Sequence, residues 1–419
     1  MISRLVRHRT TKNALWLTVL QCGNYLAQIL LIPFLTRRLS LDEFGATMAA
    51  LATAQFAFVI TDYGFSLSGT YEVSKARSDH SRLQTIIEEI HSAKLILIFL
   101  AMFVVVGISF IPAFHGHQVI FFAAALSIIG RAFQPTWFFQ GIENMKFYAG
   151  YMSAVKLFYV AAAFILVDGS GDGYLVLLSL GMADLVGAAI GLWGIHRLGH
   201  RIAGVSYASA LARLRTSFDY FVSRLAVAMY TSACSIIVGT AGLSQAALYG
   251  AAEQVYKAGQ SVTAPINQAL YPFMAQQKGP RLLFLIIPCI AVILIAGAIL
   301  IGYWAEPIVI FVFGSDYIDM IPILRVFLLV VVVNYIGVSF GYPMFAAIGK
   351  PKIANKTVIV GSLLFIFLVM WSWVNEQISG YVIAMCVLFT ETVVAILRVS
   401  IAIILIKKSN NASISVNKM

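Results

Sequence analysis

One stretch of the chain gathers polar side chains on a single side of a helix. At roughly 100° per residue, Tyr249, Glu253, Tyr256, Lys257, Gln260, Asn267 and Tyr271 share an arc of about 100°. The opposite arc is apolar: Leu248, Val255, Ala258, Val262, Ile266 and Ala269. Tyrosines and amides exchange hydrogen bonds with hydroxyls, an ammonium offsets an anion, and a carboxylate can take up a proton. A helix with one wet face at spanning length fits the wall of an aqueous cavity. The other reading is that Glu253 and Lys257 pair at i,i+4 and are buried against a neighbour. Pro265 inside the same stretch is expected to kink it.

Near the start of the chain, Gln21, Asn24, Tyr25 and Gln28 also share a face, which either lines a cavity or bonds to a neighbouring helix. Arg224 lies little more than one turn into another apolar segment, with Tyr220 and Thr231 on its side. It can contact an anion or snorkel to the membrane surface. Asp62 ends a segment and is read as a local cap, with coupling as its other role. Arg131, Lys156 and Asp184, and the pair Glu391 and Arg398, read as ion pairs that lock a lobe together. The candidate substrate-contact residues are therefore Arg224, Lys257, Glu253, Gln260, Asn267, Gln21, Asn24 and Gln28, with Glu253 and Asp62 as candidates for coupling.

No nucleophile elbow, zinc-binding helix or phosphate-cradling glycine loop occurs, so an enzyme is not expected. His115 and His117 read as a surface turn rather than a metal site. No cofactor and no metal is implied.

These residues sit in an unusually apolar chain. Of 419 residues, 60% are apolar and 11% charged, and the mean hydropathy is +0.88. A soluble domain carries about a quarter charged residues. A soluble enzyme, a disordered scaffold and a nucleic-acid binder are poor fits despite the net charge of +11. Cys22, Cys234, Cys289 and Cys386 lie within apolar stretches and suggest neither disulfides nor a metal.

A spanning helix needs roughly 20 mostly apolar residues. Twelve such segments are expected, near 13–34, 44–63, 93–112, 119–140, 148–167, 174–196, 219–239, 246–275, 283–304, 320–345, 358–375 and 380–405. With the N-terminus inside, only Arg37 and Arg38 among the loop lysines and arginines fall outside, so both termini are expected in the cytoplasm. The basic start of the chain is read as leading into the first span rather than as a cleaved signal peptide.

Leu39-Ser40 to Phe44-Gly45 after the first span is echoed by Leu243-Ser244 to Tyr249-Gly250 after the seventh. Two parallel repeats are thereby suggested. The expected fold is an all-α integral membrane protein with twelve transmembrane helices in two six-helix lobes around a central cavity. The lobes are expected at 1–200 and 218–406, joined by a cytoplasmic loop at 201–217 and followed by a cytoplasmic tail at 407–419.

Several segments resemble the Wzx-type polysaccharide flippases of the multidrug/oligosaccharidyl-lipid/polysaccharide exporter superfamily. The sharpest is Pro135-Thr136-Trp137-Phe138-Phe139-Gln140-Gly141-Ile142-Glu143-Asn144-Met145; others are Asp62-Tyr63-Gly64-Phe65-Ser66-Leu67-Ser68 (with Glu72 and Lys75 downstream), Leu39 to Gly45 after Leu31-Ile32-Pro33, and Leu270-Tyr271-Pro272-Phe273. Trp137, Phe138 and Phe139 also stand where an interfacial aromatic belt would be expected. The resemblance implies flipping of an undecaprenyl-pyrophosphate-linked oligosaccharide from the cytoplasmic to the periplasmic leaflet of the bacterial inner membrane. It also implies a cavity bordered by helices 1, 2, 7 and 8, and brings Arg224 and Lys257 forward. A polysaccharide polymerase and a chain-length regulator are the implied protein partners. A drug exporter of the same superfamily, or a membrane polymerase or ligase, are the competing readings.

Overall fold

The computed structural model describes residues 23, 30–202, 204, 206–276, 281–350 and 352–416. Every regular element among them is helical. Among the described residues ten helical stretches are long and apolar enough to cross a membrane, and they coincide with ten of the twelve expected segments. The first expected segment lies mostly outside the described residues. The eighth is a helix, Leu243–Gln276, whose polar stripe keeps it below that threshold of apolarity.

The helix described over 30–38 (α1) leads into α2, Leu41–Asp62. The Ser40 hydroxyl accepts from the Glu43 amide at 3.3 Å, the hydroxyl half of a capping box. The Glu43 carboxylate turns elsewhere: it is buried and accepts from the amides of Gly171 (2.8 Å) and Gly173 (2.6 Å). It thereby fixes the turn between α7 (Met145–Leu166) and α8 (Gly173–Arg197). Arg38 donates to the Asp168 carbonyl in the same turn at 2.8 Å.

The second span is broken. Tyr63 and Gly64 both take left-handed conformations (φ 47° and 80°), and the helix resumes as α3, Phe65–Lys75. Gly64 is needed twice over, because a Cβ there would also lie 2.5 Å from Cβ of Tyr220. The remaining helices of this half are α4 (His80–Ser109), α5 (Gln118–Phe133), α6 (Thr136–Gly141), α9 (Tyr207–Thr231) and α10 (Ala233–Ala241).

Two compact units emerge, Met1–Ala247 and Leu248–Met419. The division falls inside α11 (Leu243–Gln276), so the seventh span travels with the first unit. Helix α9 already begins at Tyr207, within the stretch expected as a loop. It is joined to α3 by a Ser68–Ser217 hydroxyl pair at 3.1 Å and an Arg213–Glu72 ion pair at 2.7 Å. Phe221 of α9 stacks on Tyr63 at 4.3 Å. The two copies of the repeated motif meet: a Cβ on Gly45 would lie 1.9 Å from the Leu243 carbonyl oxygen, so only glycine permits this approach.

In the first unit α5 packs closely along α8. Gly130 and Gly181 allow it, since a Cβ at either would fall 2.6–2.7 Å from atoms of the facing helix. Trp137, Phe138 and Phe139 of α6 are each 1% exposed. They form an internal cluster rather than an interfacial belt: Trp137 lies against His91, Phe138 against His200, and Phe139 against Phe147 and Tyr151.

The second unit comprises the rest of α11 with α12 (Arg281–Tyr303), α13 (Ala305–Val312), α14 (Ile321–Ser339), α15 (Tyr342–Ala347), α16 (Lys352–Val374) and α17 (Gly380–Val416). Its buried core includes Met274, Leu283, Ile287, Tyr335, Met344, Phe345 and Ala402. Arg398 of α17 runs through it, donating to the Thr357 hydroxyl (2.8 Å) and the Gly337 carbonyl (2.9 Å).

Candidate functional site

The stripe of α11 resolves into two kinds of contact. Lys257 and Glu253 form an ion pair at 2.9 Å, one helical turn apart. Their accessibility differs: the Lys257 side chain is 41% exposed and that of Glu253 is 8%. The carboxylate is sequestered while the ammonium stays reachable.

The amides and tyrosines turn to α14. Gln260 donates to the Tyr256 hydroxyl at 2.6 Å and to Oδ1 of Asn334 at 3.1 Å. Asn267 accepts from the Ser339 hydroxyl at 2.9 Å. Phe327 stacks on Tyr256 and meets Tyr249 edge-on, each at 5.3 Å. Gly259 admits the Val331 side chain between these polar contacts. Pairing at i,i+4 and bonding to a neighbouring helix, one of the two readings of the stripe, are thus both present within this unit.

Of the other expected contact residues, Arg224 is half-buried on α9. Gln21, Asn24 and Gln28 lie outside the described residues. Asp62 is buried, and its carboxylate accepts from the Ser66 amide (3.2 Å) and hydroxyl (2.8 Å). It closes the break between α2 and α3 as a cap.

Asp184 and Arg131 bond to polar groups of their own unit. Asp184 accepts from the Ser127 hydroxyl and from Gln134, whose amide lies 3.2 Å from its carboxylate and 3.0 Å from its carbonyl. Arg131 donates to Gln55 at 3.0 Å and lies over the Phe58 ring at 4.2 Å. Among the described residues no group of three or more His, Cys, Asp or Glu is placed to hold a metal.

The basic end of the first unit carries an ion network. Arg213, 3% exposed, meets Glu72 at 2.7 Å and Glu89 at 3.7 Å, and Arg82 approaches both carboxylates. Arg77 pairs with Glu143 at 2.9 Å. Beside it His80 stacks on His200 with centroids 4.1 Å apart. Burial and the neighbouring His80 hold the His200 imidazole below its ordinary value.

Four polar groups escaped the sequence reading. Asn334 is a single amide inside an apolar run, and that isolation was its only signal. Lys94 is buried and donates to the Ala132 carbonyl. Glu43 had a signal in the Ser40-x-x-Glu43 spacing. Arg213 read as one of several loop cations because the start of α9 has no apolar run to mark it.

Residues 10–278 match the polysaccharide biosynthesis protein family. A protein named as a candidate O-antigen transporter in Escherichia coli (strain K12) is 24% identical over 367 residues, covering 85% of this chain and 88% of its own. One so named in Shigella dysenteriae is 24% identical over 402 residues, covering 92% and 98%. Among solved structures, a lipid II flippase in an inward closed conformation aligns with a TM-score of 0.67 at 12% identity, covering 94% of this chain and 87% of that one. An inward-facing multidrug resistance transporter of the MATE family, in the MOP superfamily, aligns with a TM-score of 0.61 at 13% identity, covering 92% of this chain and 99% of that one. These likenesses establish the fold, and the matched 10–278, well over half of the chain, establishes the kinship. The chain belongs to the polysaccharide biosynthesis protein family.

Proposed function

We propose that the protein flips an undecaprenyl-pyrophosphate-linked saccharide repeat unit of the O-antigen type. It would move the unit from the cytoplasmic to the periplasmic leaflet of the bacterial inner membrane by alternating access. The observation that carries this reading is the asymmetry of the Glu253–Lys257 pair. On α11, a strongly polar helix of spanning length, the accessible partner is the cation, 41% exposed against 8%. A pyrophosphate cannot cross hydrocarbon without a partner, and an ammonium at membrane depth provides one. A carrier of cationic drugs calls for the opposite arrangement.

In this mechanism Lys257 meets the pyrophosphate, with Arg224 as a second cation. Tyr256, Gln260, Asn267 and the amides Gln21, Asn24 and Gln28 exchange hydrogen bonds with sugar hydroxyls. Glu253 sets the position of Lys257 and is the first candidate for proton coupling, with Asp62 the second. The lipid tail stays in the bilayer throughout. Outward movement of two negative charges across an inside-negative membrane releases roughly 4.6 kcal/mol at about 100 mV, so the potential favours export. The polymer-building partners would be a polysaccharide polymerase and a chain-length regulator acting on the exported unit.

Deleting the gene tests the reading. The expected result is loss of surface polysaccharide, with the lipid-linked precursor trapped on the cytoplasmic face. Lys257→Glu should fail to restore export, while Lys257→Arg should restore most of it. Single repeat units on the outer surface of the deletion strain would instead place the block at polymerisation and sink the flippase reading.

A further inference from the structure

The ion network at the basic end of the first unit uses only part of one of its cations. Arg213 of α9 is 3% exposed, and its Nη1 serves two carboxylates, Glu72 at 2.7 Å and Glu89 at 3.7 Å. Its Nε and Nη2, both buried, have no hydrogen-bond partner among the described residues. Phe65 of α3 lies under the guanidinium, its ring centre 6.0 Å from Cζ. Arg82 of α4, itself half exposed, reaches the same two carboxylates at 3.5 and 3.9 Å.

Nε and Nη2 form one edge of the guanidinium, a pair of parallel donors that matches two oxygens of a phosphate. A buried donor without an acceptor costs free energy, and an oxyanion on this edge would relieve that cost. Both atoms are enclosed where α9 packs against α3 and α4, so an anion reaches them only once α9 moves away. The seam that must part there holds the Arg213 ion pairs, the Ser68–Ser217 hydroxyl pair at 3.1 Å and the stack of Phe221 on Tyr63. Arg82 keeps a cation beside Glu72 and Glu89 when Arg213 leaves them.

We propose that the Nε–Nη2 edge of Arg213 is a diphosphate-binding site, uncovered only when α9 unlatches from α3. Arg213 trades Glu72 and Glu89 for the diphosphate, so binding and latch closure exclude one another. An anion that binds only the released form draws the population towards it. No covalent bond forms or breaks. The proposal rests on the flippase reading and adds to it a reception site on the side read as cytoplasmic, separate from Lys257 and Arg224.

The test uses the purified full-length protein in nanodiscs, with Ser68→Cys and Ser217→Cys together as a reporter. Hydroxyls 3.1 Å apart put the two thiols within disulfide reach, so the rate of oxidation, mapped on peptides, reads the closed latch. Undecaprenyl pyrophosphate and free inorganic pyrophosphate are the probes, and undecaprenol is the uncharged control. At about ten times its dissociation constant from the released form, a probe should lower the ratio of closed to released latch about tenfold. Undecaprenol should leave the ratio unchanged. Arg213→Lys keeps the charge but has no such edge; it should crosslink like the parent without probe and respond to neither probe. Glu72→Gln should crosslink more slowly and bind the probes more tightly. Unchanged crosslinking with both probes, or a parental response in Arg213→Lys, overturns the site. If Arg213→Lys does not close the latch, Glu72→Gln decides: tighter probe binding supports the site and unchanged binding overturns it. Slowing by free pyrophosphate alone upholds the site and counts against the flippase reading. Binding of undecaprenyl pyrophosphate, seen by phosphorus NMR, without any slowing overturns the site and leaves that reading standing.

Discussion

Taking away Lys257 removes the ion-pair partner of a carboxylate that is 8% exposed, whereas taking away both charges removes the pair as a whole. Lys257→Met is therefore expected to lower stability by about 2 kcal/mol, less than the ~3–5 kcal/mol of a fully buried pair because the ammonium is partly solvated. Glu253→Gln with Lys257→Met should recover most of that loss, as thermal unfolding in detergent would record. Full export by this neutral double variant would remove any role for the pair in transport. A second prediction concerns His200. Its folded value lies below the ordinary 6.5, so the unfolded chain binds the proton more readily. Stability is complete above the unfolded value and falls as the pH drops through it towards the folded one. His200→Phe, which keeps an aromatic ring on Phe138, should flatten that part of the curve of melting temperature against pH.

At the scale of elements, the breaks matter as much as the helices. Gly64→Ala would force a side chain into a left-handed residue and into Tyr220, 2.5 Å from the new Cβ. A loss of about 2–3 kcal/mol is expected from strain and overlap together, measured as a fall in melting temperature. An unchanged melting temperature would mean that α3 and α9 separate easily at this point. The spans themselves could be read from apolar runs of spanning length, and ten appear where expected. The end of α2 at Asp62 could be read too, but the resumption of the helix at Phe65 could not, because two consecutive left-handed residues leave no trace in hydrophobic periodicity. The stripe on α11 was legible for the same reason the break was not: it has an angular pattern. Its partner Asn334 has none, being one amide among Val330 to Val333 and Tyr335, and so the direction in which Gln260 points shows only in the folded protein.

For the whole molecule, the contacts of α9 decide where the first unit ends. Ser217, Arg213 and Phe221 all bond or stack within it, and the tight Gly45–Leu243 approach extends it to the start of α11. A fragment of residues 1–247 is expected to run as a single species in detergent and resist trypsin. Residues 1–206 should not, since Glu72 and Glu89 lose Arg213. Equal behaviour of the two fragments would show that the seventh span adds nothing to the first unit. The burial of Trp137 has a use beyond packing. Trp193, Trp304, Trp371 and Trp373 are 48–65% exposed, against 1% for Trp137. With the other tryptophans replaced by phenylalanine, the light emitted by Trp137 should be blue-shifted and beyond the reach of both aqueous and lipid-borne quenchers. A red shift during turnover would then time the moment at which the core of α6 opens.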